Sequence, residues 1–343
     1  MSWELNNVLR KARFEYLYFP ILLSGMASPL LAVANESSPE KVEEMIMLTV
    51  DKTHSKADLR TLPEDASTAR VLRTFKIATG KVDGDKERQG DNKTPEGIYF
   101  TQGTIPAKQL APNKYGPLAI PLNFPNPMDQ VSGKTGYGIW LHGVGDRKIE
   151  DVRVTEGCVA FQNSEITSLT QWLQPNHGVV VIARDAAEVN RPEDVQGATK
   201  ASIGWVDAWA SRDVTRYISF YATDFNNAGK SKGAYESYKR AVFASYKTMS
   251  VKMSNLRVLT HPKYALAMMN QDFSGDSRFR SDGRKMIYLR KDAEGAWKIV
   301  REMFDNFMMR PVQFSTTGMV DVKAGAVAPS SEVSATVNGT QSL

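Results

Sequence analysis

With a single cysteine, Cys158, among 343 residues, the chain cannot form an intramolecular disulfide. Histidine is scarce too. Four histidines scattered along the chain, beside one thiol, lack the short ligand spacing of a zinc or other metal site, so no metal or other cofactor is expected. Basic residues never gather into a run and no nucleic-acid-reading motif is present, so nucleic acid is not an expected partner. The formal charge of +5 and pI of about 9.0 are instead read as general affinity for anionic surfaces such as a cell-wall polymer. Apart from 16–31, no apolar run is long enough to span a bilayer.

Apolar residues make up 42% of the chain and charged residues 24%, the balance of a folded globular protein. A length of 343 residues implies about two domains. At the N-terminus, Arg10, Lys11 and Arg13 precede the apolar run, which closes on Ala32-Val33-Ala34, the pattern of a secretory signal over 1–34. An uncleaved membrane anchor is the alternative, and Pro20, Gly25 and Pro29 weigh against it by interrupting any helix. Export leaves Cys158 as either a buried apolar filler or a reactive thiol, and its neighbours must decide.

Residues 45–50 and 73–79 read as strands by apolar alternation, and a Gly- and Asp-rich stretch over 80–97 reads as turns. Further strands are expected at 118–122, 137–141, 158–161 and 179–183, with one helix near 164–173. The polar stretch 185–200, holding Pro192 and Gly197, lacks an apolar period and reads as a linker between separable halves. Beyond it Ile203, Val206 and Trp209 fall at helical spacing, a helix is expected at 235–246, and strands at 250–259, 264–274, 285–290 and 297–302 complete an α+β layout. The Ser-, Thr-, Ala- and Gly-rich stretch 315–343 has little to bury and is expected to be a disordered tail.

His142 ends an apolar strand in Ile139-Trp-Leu-His-Gly143, and Cys158 follows in Thr155-Glu-Gly-Cys158. Two strand ends can bring the side chains together. A thiol attacks as thiolate and needs a base, most often histidine, to take its proton. Gly157, without a side chain, lets the backbone amides beside Cys158 approach a carbonyl oxygen as an oxyanion hole. His54, His177 and His261 lie in polar, Pro-flanked or loop contexts and read as loop residues. Tyr137 and Trp140 flank the histidine on its strand and are candidate substrate contacts.

His142-Gly143 followed by Thr155-Glu156-Gly157-Cys158 resembles the signature of the L,D-transpeptidase catalytic domains, also called the YkuD type. Gly80-Lys81, Gly84-Asp85-Lys86, Gly90-Asp91 and Thr94-Pro95-Glu96-Gly97 match that family's lead-in, and the resemblance covers 43–184. It implies a mainly β catalytic domain, a β-sandwich, acting in the periplasm on the peptide stems of peptidoglycan without a cofactor. Cys158 would form a thioester with the stem carbonyl, His142 would carry the proton, the Gly143 carbonyl would hold the imidazole, and the Gly157 and Cys158 amides would bind the oxyanion. An activated Cys158 would then react with iodoacetamide well below the pH at which a free thiol does. Many family members carry histidine before the Gly-Cys and arginine two residues after it, where this chain has Glu156 and Ala160. Arg153 or Arg147, in the intervening loop, is the expected substitute for the carboxylate-binding arginine.

The second half, over 201–314, resembles the nuclear-transport-factor-two-like fold, a cone of helices on a curved antiparallel sheet, through Trp205-Val-Asp-Ala-Trp209, Tyr217-Ile-Ser-Phe-Tyr221 and Ala296-Trp-Lys-Ile-Val-Arg-Glu302. Trp205, Trp209 and Tyr221 read as core. The domain is expected to position substrate or bind a cell-wall or protein ligand. The pairing of these two domains resembles cell-shape-determining L,D-carboxypeptidases, which trim tetrapeptide stems to tripeptides; the alternative is a transpeptidase forming 3–3 cross-links.

Overall fold

The computed structural model describes residues 41–145, 148–276, 279–309 and 311–315. The expected leader at 1–34, Arg147 and the tail beyond 315 lie outside the described residues. Among the described residues no helix is long and apolar enough to cross a membrane.

The first half is a sandwich of two sheets. One has five strands in the order Val71–Lys76, Lys56–Thr61, Ile46–Asp51, Val179–Ala183 and Gly97–Phe100, with only the Ile46–Asp51 and Val179–Ala183 pair parallel. The other has four, in the order Val159–Phe161, Trp140–Gly143, Leu118–Pro121 and Ile105–Pro106. Leu48, Val50, Tyr99, Val180 and Ile182 of the first sheet pack on Ile120, Leu141, Val159 and Phe161 of the second to form the inner core.

Residue alternation along a strand sends the remaining side chains of the five-stranded sheet outward. These are Met47, Ile98, Phe100, Val179 and Val181, and all are buried too. Their cover is the second half. There the helices Pro192–Ala210, Val214–Ser219 and Lys232–Ser245 lie on a sequential antiparallel sheet of Met249–His261, Tyr264–Gly275, Phe279–Lys291 and Trp297–Asp305. One face of that sheet, with Val258, Ala267, Ile287 and Ile299, meets the helices and their Trp205, Trp209 and Tyr217. The opposite face, with Leu259, Leu266, Met268, Met286 and Val300, meets the first half. A mainly β first half and an α+β second half are as expected.

Polar contacts seal the shared face. The Tyr264 hydroxyl accepts from the Ile98 amide (2.6 Å) and Asn126 Nδ2 (2.8 Å), Arg284 donates to the Asn176 carbonyl (2.9 Å), and Arg257 Nε donates to the Leu62 carbonyl (3.1 Å). The terminal strands Lys41–Glu44 and Val312–Ser315 pair antiparallel, tying the two ends together. The described residues all fall in one compact unit. The two halves therefore share one buried apolar face.

The stretch expected as a linker, 185–200, is instead a short 3-10 turn at Ala186–Glu188 and the first half of the helix Pro192–Ala210. Proline at the first helical position is preorganised for a helix start, and Glu193 and Asp194 complement its positive end. Val195, Ala198, Ser202, Trp205 and Trp209 form the buried face. Its period is hidden because Val195 is followed on that face by small Ala198 and polar Ser202. The strand expected at 137–141 is shifted to Trp140–Gly143.

Leu266 is fully buried where the halves meet. Leu266→Ala is expected to cost about 2–5 kcal/mol and to lower a single calorimetric transition shared by both halves. Two transitions, only one of them moved, would contradict a common core.

Candidate active site

The strands Trp140–Gly143 and Val159–Phe161 run parallel, with Leu141 opposite Val159 and His142 opposite Ala160. Leu141 and Val159 point into the sandwich core, so alternation turns Trp140, His142, Cys158 and Ala160 to the other face. His142 and Cys158 thus line one cleft of about 950 Å³. Gly143 and Gly157 stand beside them in the backbone.

His142 is buried, and its Nδ1 lies 2.5 Å from the Gly143 carbonyl oxygen. A carbonyl only accepts, so the proton sits on Nδ1 and the Nε2 lone pair is left free. The Tyr115 ring meets the imidazole edge-on at 5.0 Å and Trp140 at 5.3 Å. Gly143 has to be glycine: a Cβ there would stand 2.4 Å from Asn163 Oδ1 and 2.8 Å from the Pro117 ring. Asn163 donates to the Gly145 carbonyl (3.0 Å) and so clamps the chain just after the histidine.

The turn into Cys158 is folded by Thr155. Its hydroxyl donates to the Cys158 carbonyl (2.7 Å) and accepts from the Gly157 amide (3.2 Å). Gly157 has φ +129°, and a Cβ on it would come within 2.7 Å of the Lys93 carbonyl oxygen. The Gly157 amide, expected to share the oxyanion hole, donates here to Thr155.

Cys158 is half-buried, and its thiol donates to the Gly138 carbonyl at 3.4 Å. Burial pushes the thiol up to about 11, against the smaller opposing pull of the Trp140 backbone and the Lys114 charge. Burial also lowers His142 below its ordinary 6.5, the contact with Gly143 opposing and the Lys114 charge reinforcing the shift. Both shifts favour uncharged forms. Burial thus favours thiol over thiolate and imidazole over imidazolium.

Of the two arginines expected to meet a substrate carboxylate, Arg147 lies outside the described residues. Arg153 does not line the cleft; its side chain is exposed and pairs with Asp83 at 3.4 Å, while the next residue, Val154, faces the cleft. Ala160, at the usual arginine position, is buried beside Ala78 and Ile149 at the cleft wall and offers no charge. Tyr137 lines the cleft, and half-buried Trp140 packs on Tyr115. Four lysines also line it, Lys81 and Lys86 from the lead-in that resembles the family, and Lys114 and Lys148 from outside it. Lys86 is buried and paired with Asp91 (2.7 Å). Lys114 is exposed, 5.2 Å above the Tyr115 ring and 3.9 Å from Glu156, and its charge acts on both members of the pair.

Elsewhere, Asp51, His54 and Asp185 bring ligand-type atoms within 4.8 Å of one another, but Asp51 is committed to His54 (2.9 Å) and the Ala186 amide (3.2 Å). In the second half Trp205, Tyr217 and Tyr221 are buried as core. They enclose Glu302, which pairs with Lys285 and accepts from Tyr221. Burial pushes nearby Lys239 down to about 8. This charged centre was not expected, because its members lie on separate helices and strands.

A β-sandwich with a cysteine and histidine on adjacent parallel strands, backed by a helix-covered curved sheet, defines a two-domain class. Residues 50–182 match the YkuD family, the L,D-transpeptidase catalytic domain, and 199–303 match the Cds6 C-terminal NTF2-like domain, so the chain carries an L,D-transpeptidase catalytic domain followed by an NTF2-like domain. It is 28% identical to YafK of Escherichia coli K12 over 170 residues, 49% of this chain and 62% of YafK. The chain thus spans under two thirds of that relative. Among solved structures it is similar to Bd1075 of Bdellovibrio bacteriovorus (TM-score 0.66, 26% identity, 77% of this chain and 94% of that one). The helical cell shape determining protein Pgp2 of Campylobacter jejuni shares the fold (TM-score 0.62, 24% identity, 77% and 93%).

A neutral pair has a direct consequence. Alkylation of Cys158 by iodoacetamide is expected to be slower near pH 8 than that of a free thiol of pKa about 8.5, and to climb toward pH 11. A plateau reached below pH 8 would contradict it.

Proposed function

We propose that the protein is a peptidoglycan L,D-carboxypeptidase, exported to the periplasm, that removes the terminal D-alanine of tetrapeptide stems through a Cys158 thioester. The observation that carries this reading is the cleft in which Cys158 stands beside a histidine whose Nε2 lone pair is free. His142 takes the thiol proton as sulfur attacks the carbonyl of the diaminopimelate L-centre, so no thiolate has to persist in the buried site. With the Gly157 amide held by Thr155, the Cys158 amide donates to the developing oxyanion. The imidazolium then protonates the leaving D-alanine amine. Water, deprotonated by the regenerated imidazole, cleaves the thioester and releases the tripeptide.

A stem ending in a carboxylate needs a cation, and Ala160 supplies none. Lys114 takes that role: it is exposed in the cleft, it is close enough to act on both His142 and Cys158, and the opposing Glu156 sets its reach. Water as acceptor is favoured by the pairing with an NTF2-like domain, the arrangement shared with the cell-shape protein Pgp2. The second reading is a transpeptidase that gives the acyl group to another stem's amine. It is supported by the match of 50–182 to the L,D-transpeptidase catalytic domain.

Purified protein incubated with disaccharide-tetrapeptide, followed by mass analysis, separates the two. Tripeptide with free D-alanine is expected, and Cys158→Ala and His142→Ala should each reduce turnover to background with an unchanged fold, since nucleophile and base act as one unit. Lys114→Met should raise KM roughly tenfold, the loss of one charge-assisted contact. Dominant 3–3 dimers would establish the second reading, and substantial turnover by Cys158→Ala would overturn both.

A further inference from the structure

The cleft's wall is held by the other half of the molecule. Residues 81–96 contribute Lys81, Lys86, Gln89 and Asn92 to the lining. At the base of this loop Asp85 accepts from the Glu96 amide (2.7 Å) and pairs with Lys134 (2.7 Å) and Lys263 (2.5 Å). Lys263 belongs to the turn joining Met249–His261 to Tyr264–Gly275 in the NTF2-like domain, and it reaches Glu96 as well (3.5 Å). Lys52 completes the cluster, donating to Glu96 (2.9 Å), the Thr94 carbonyl (2.9 Å) and the Gly84 carbonyl (2.6 Å). Asp129, 2.7 Å from Lys134, balances the charges as three lysines against three carboxylates.

From this cluster two short paths lead to the reacting thiol. The Thr135 amide donates to the Glu87 carbonyl (2.9 Å), joining 81–96 to the segment whose Gly138 carbonyl takes the Cys158 thiol. The Lys93 carbonyl abuts Gly157, leaving no space for a Cβ there. Displacement of the loop therefore moves both the lysine-lined wall and the turn that carries Cys158.

We infer that Lys263 is a positioning residue for the catalytic cleft: through Asp85 and Glu96 the NTF2-like domain fixes the loop 81–96 in the shape that receives substrate. Lys263 is 46% exposed, so its ion pair adds little to global stability. Its local effect is larger, because without it Asp85 and Glu96 are left facing each other with one cation fewer in a mostly buried site.

The test compares full-length Lys263→Met and Lys263→Arg with the parent protein. In Lys263→Met, amide exchange over 81–96 should quicken roughly tenfold while the Tm stays within about 2 °C and the rest of the chain exchanges as before. Lys263→Arg should restore the parent pattern. The kinetic arm rests on the carboxypeptidase reading: with tetrapeptide, KM should rise about fivefold or more while kcat changes less than twofold. Asp85→Asn should add nothing further to Lys263→Met if both act on one element. Unchanged exchange over 81–96, or loosening of the whole molecule in step with a fallen Tm, would overturn the inference. A parent protein that leaves tetrapeptide intact would overturn the carboxypeptidase reading alone, since the exchange comparison still decides the role of Lys263.

Discussion

The parallel pairing of Trp140–Gly143 with Val159–Phe161 is the constraint on which the site depends. With Leu141 and Val159 locked in the sandwich core, neither strand can slip by one residue without turning His142 and Cys158 away from the cleft. The two glycines serve the same registry. Gly143 lets Asn163 and Pro117 close on the histidine strand, and Gly157 lets the cysteine turn pass under Lys93. Thr155 finishes the turn by bonding on both sides of it. In the Thr-x-Gly-Cys pattern the threonine and glycine are thus accounted for by backbone geometry, and only the cysteine by chemistry.

The five-stranded sheet is apolar on both faces, which makes the second half part of the fold of the first. A strand such as Val179–Ala183, with all five residues buried, has the sequence of a strand covered on each side. Its outer cover is the NTF2-like sheet, itself apolar on both faces. Around this apolar contact run Tyr264, Arg257, Arg284 and the Lys263 cluster. Whatever the NTF2-like domain binds, its first physical role is to complete the catalytic half and steady the cleft's wall.

His142 and Cys158 were legible in the sequence because their signature is local: one thiol, one strand-end histidine, and a glycine that geometry requires. The strands were legible from alternation, and the fold class with them. Less legible was whatever depends on partners far along the chain. Lys263 and Asp85 are 178 residues apart, and although Asp85 stands in the lead-in, nothing local marks Lys263 as its partner. Tyr115 and Lys114 sit in a polar loop that reads like any other, yet Tyr115 lies against the histidine and Lys114 over the Tyr115 ring. Arg153 had the right chemistry for a carboxylate, but Asp83 holds it on the outside. The first half of the helix Pro192–Ala210 read as a linker because small Ala198 and polar Ser202 break the apolar period between Val195 and Trp205. The burial that shifts the pair's ionisation was not legible either, since a residue's type does not disclose how thoroughly water is removed from around it.

Desolvation is the physical theme of the cleft. It raises the cost of charge on the thiol and the imidazole alike, and so favours an uncharged pair. The most direct measurement is nuclear magnetic resonance of protein labelled with nitrogen-15 in its four histidines, with His142 assigned by comparison with His142→Gln. At about pH 7 the expected signal is a neutral imidazole protonated at Nδ1, unchanged in Cys158→Ala. An imidazolium signal at that pH that disappears in Cys158→Ala would mean a standing thiolate–imidazolium pair and would contradict the account.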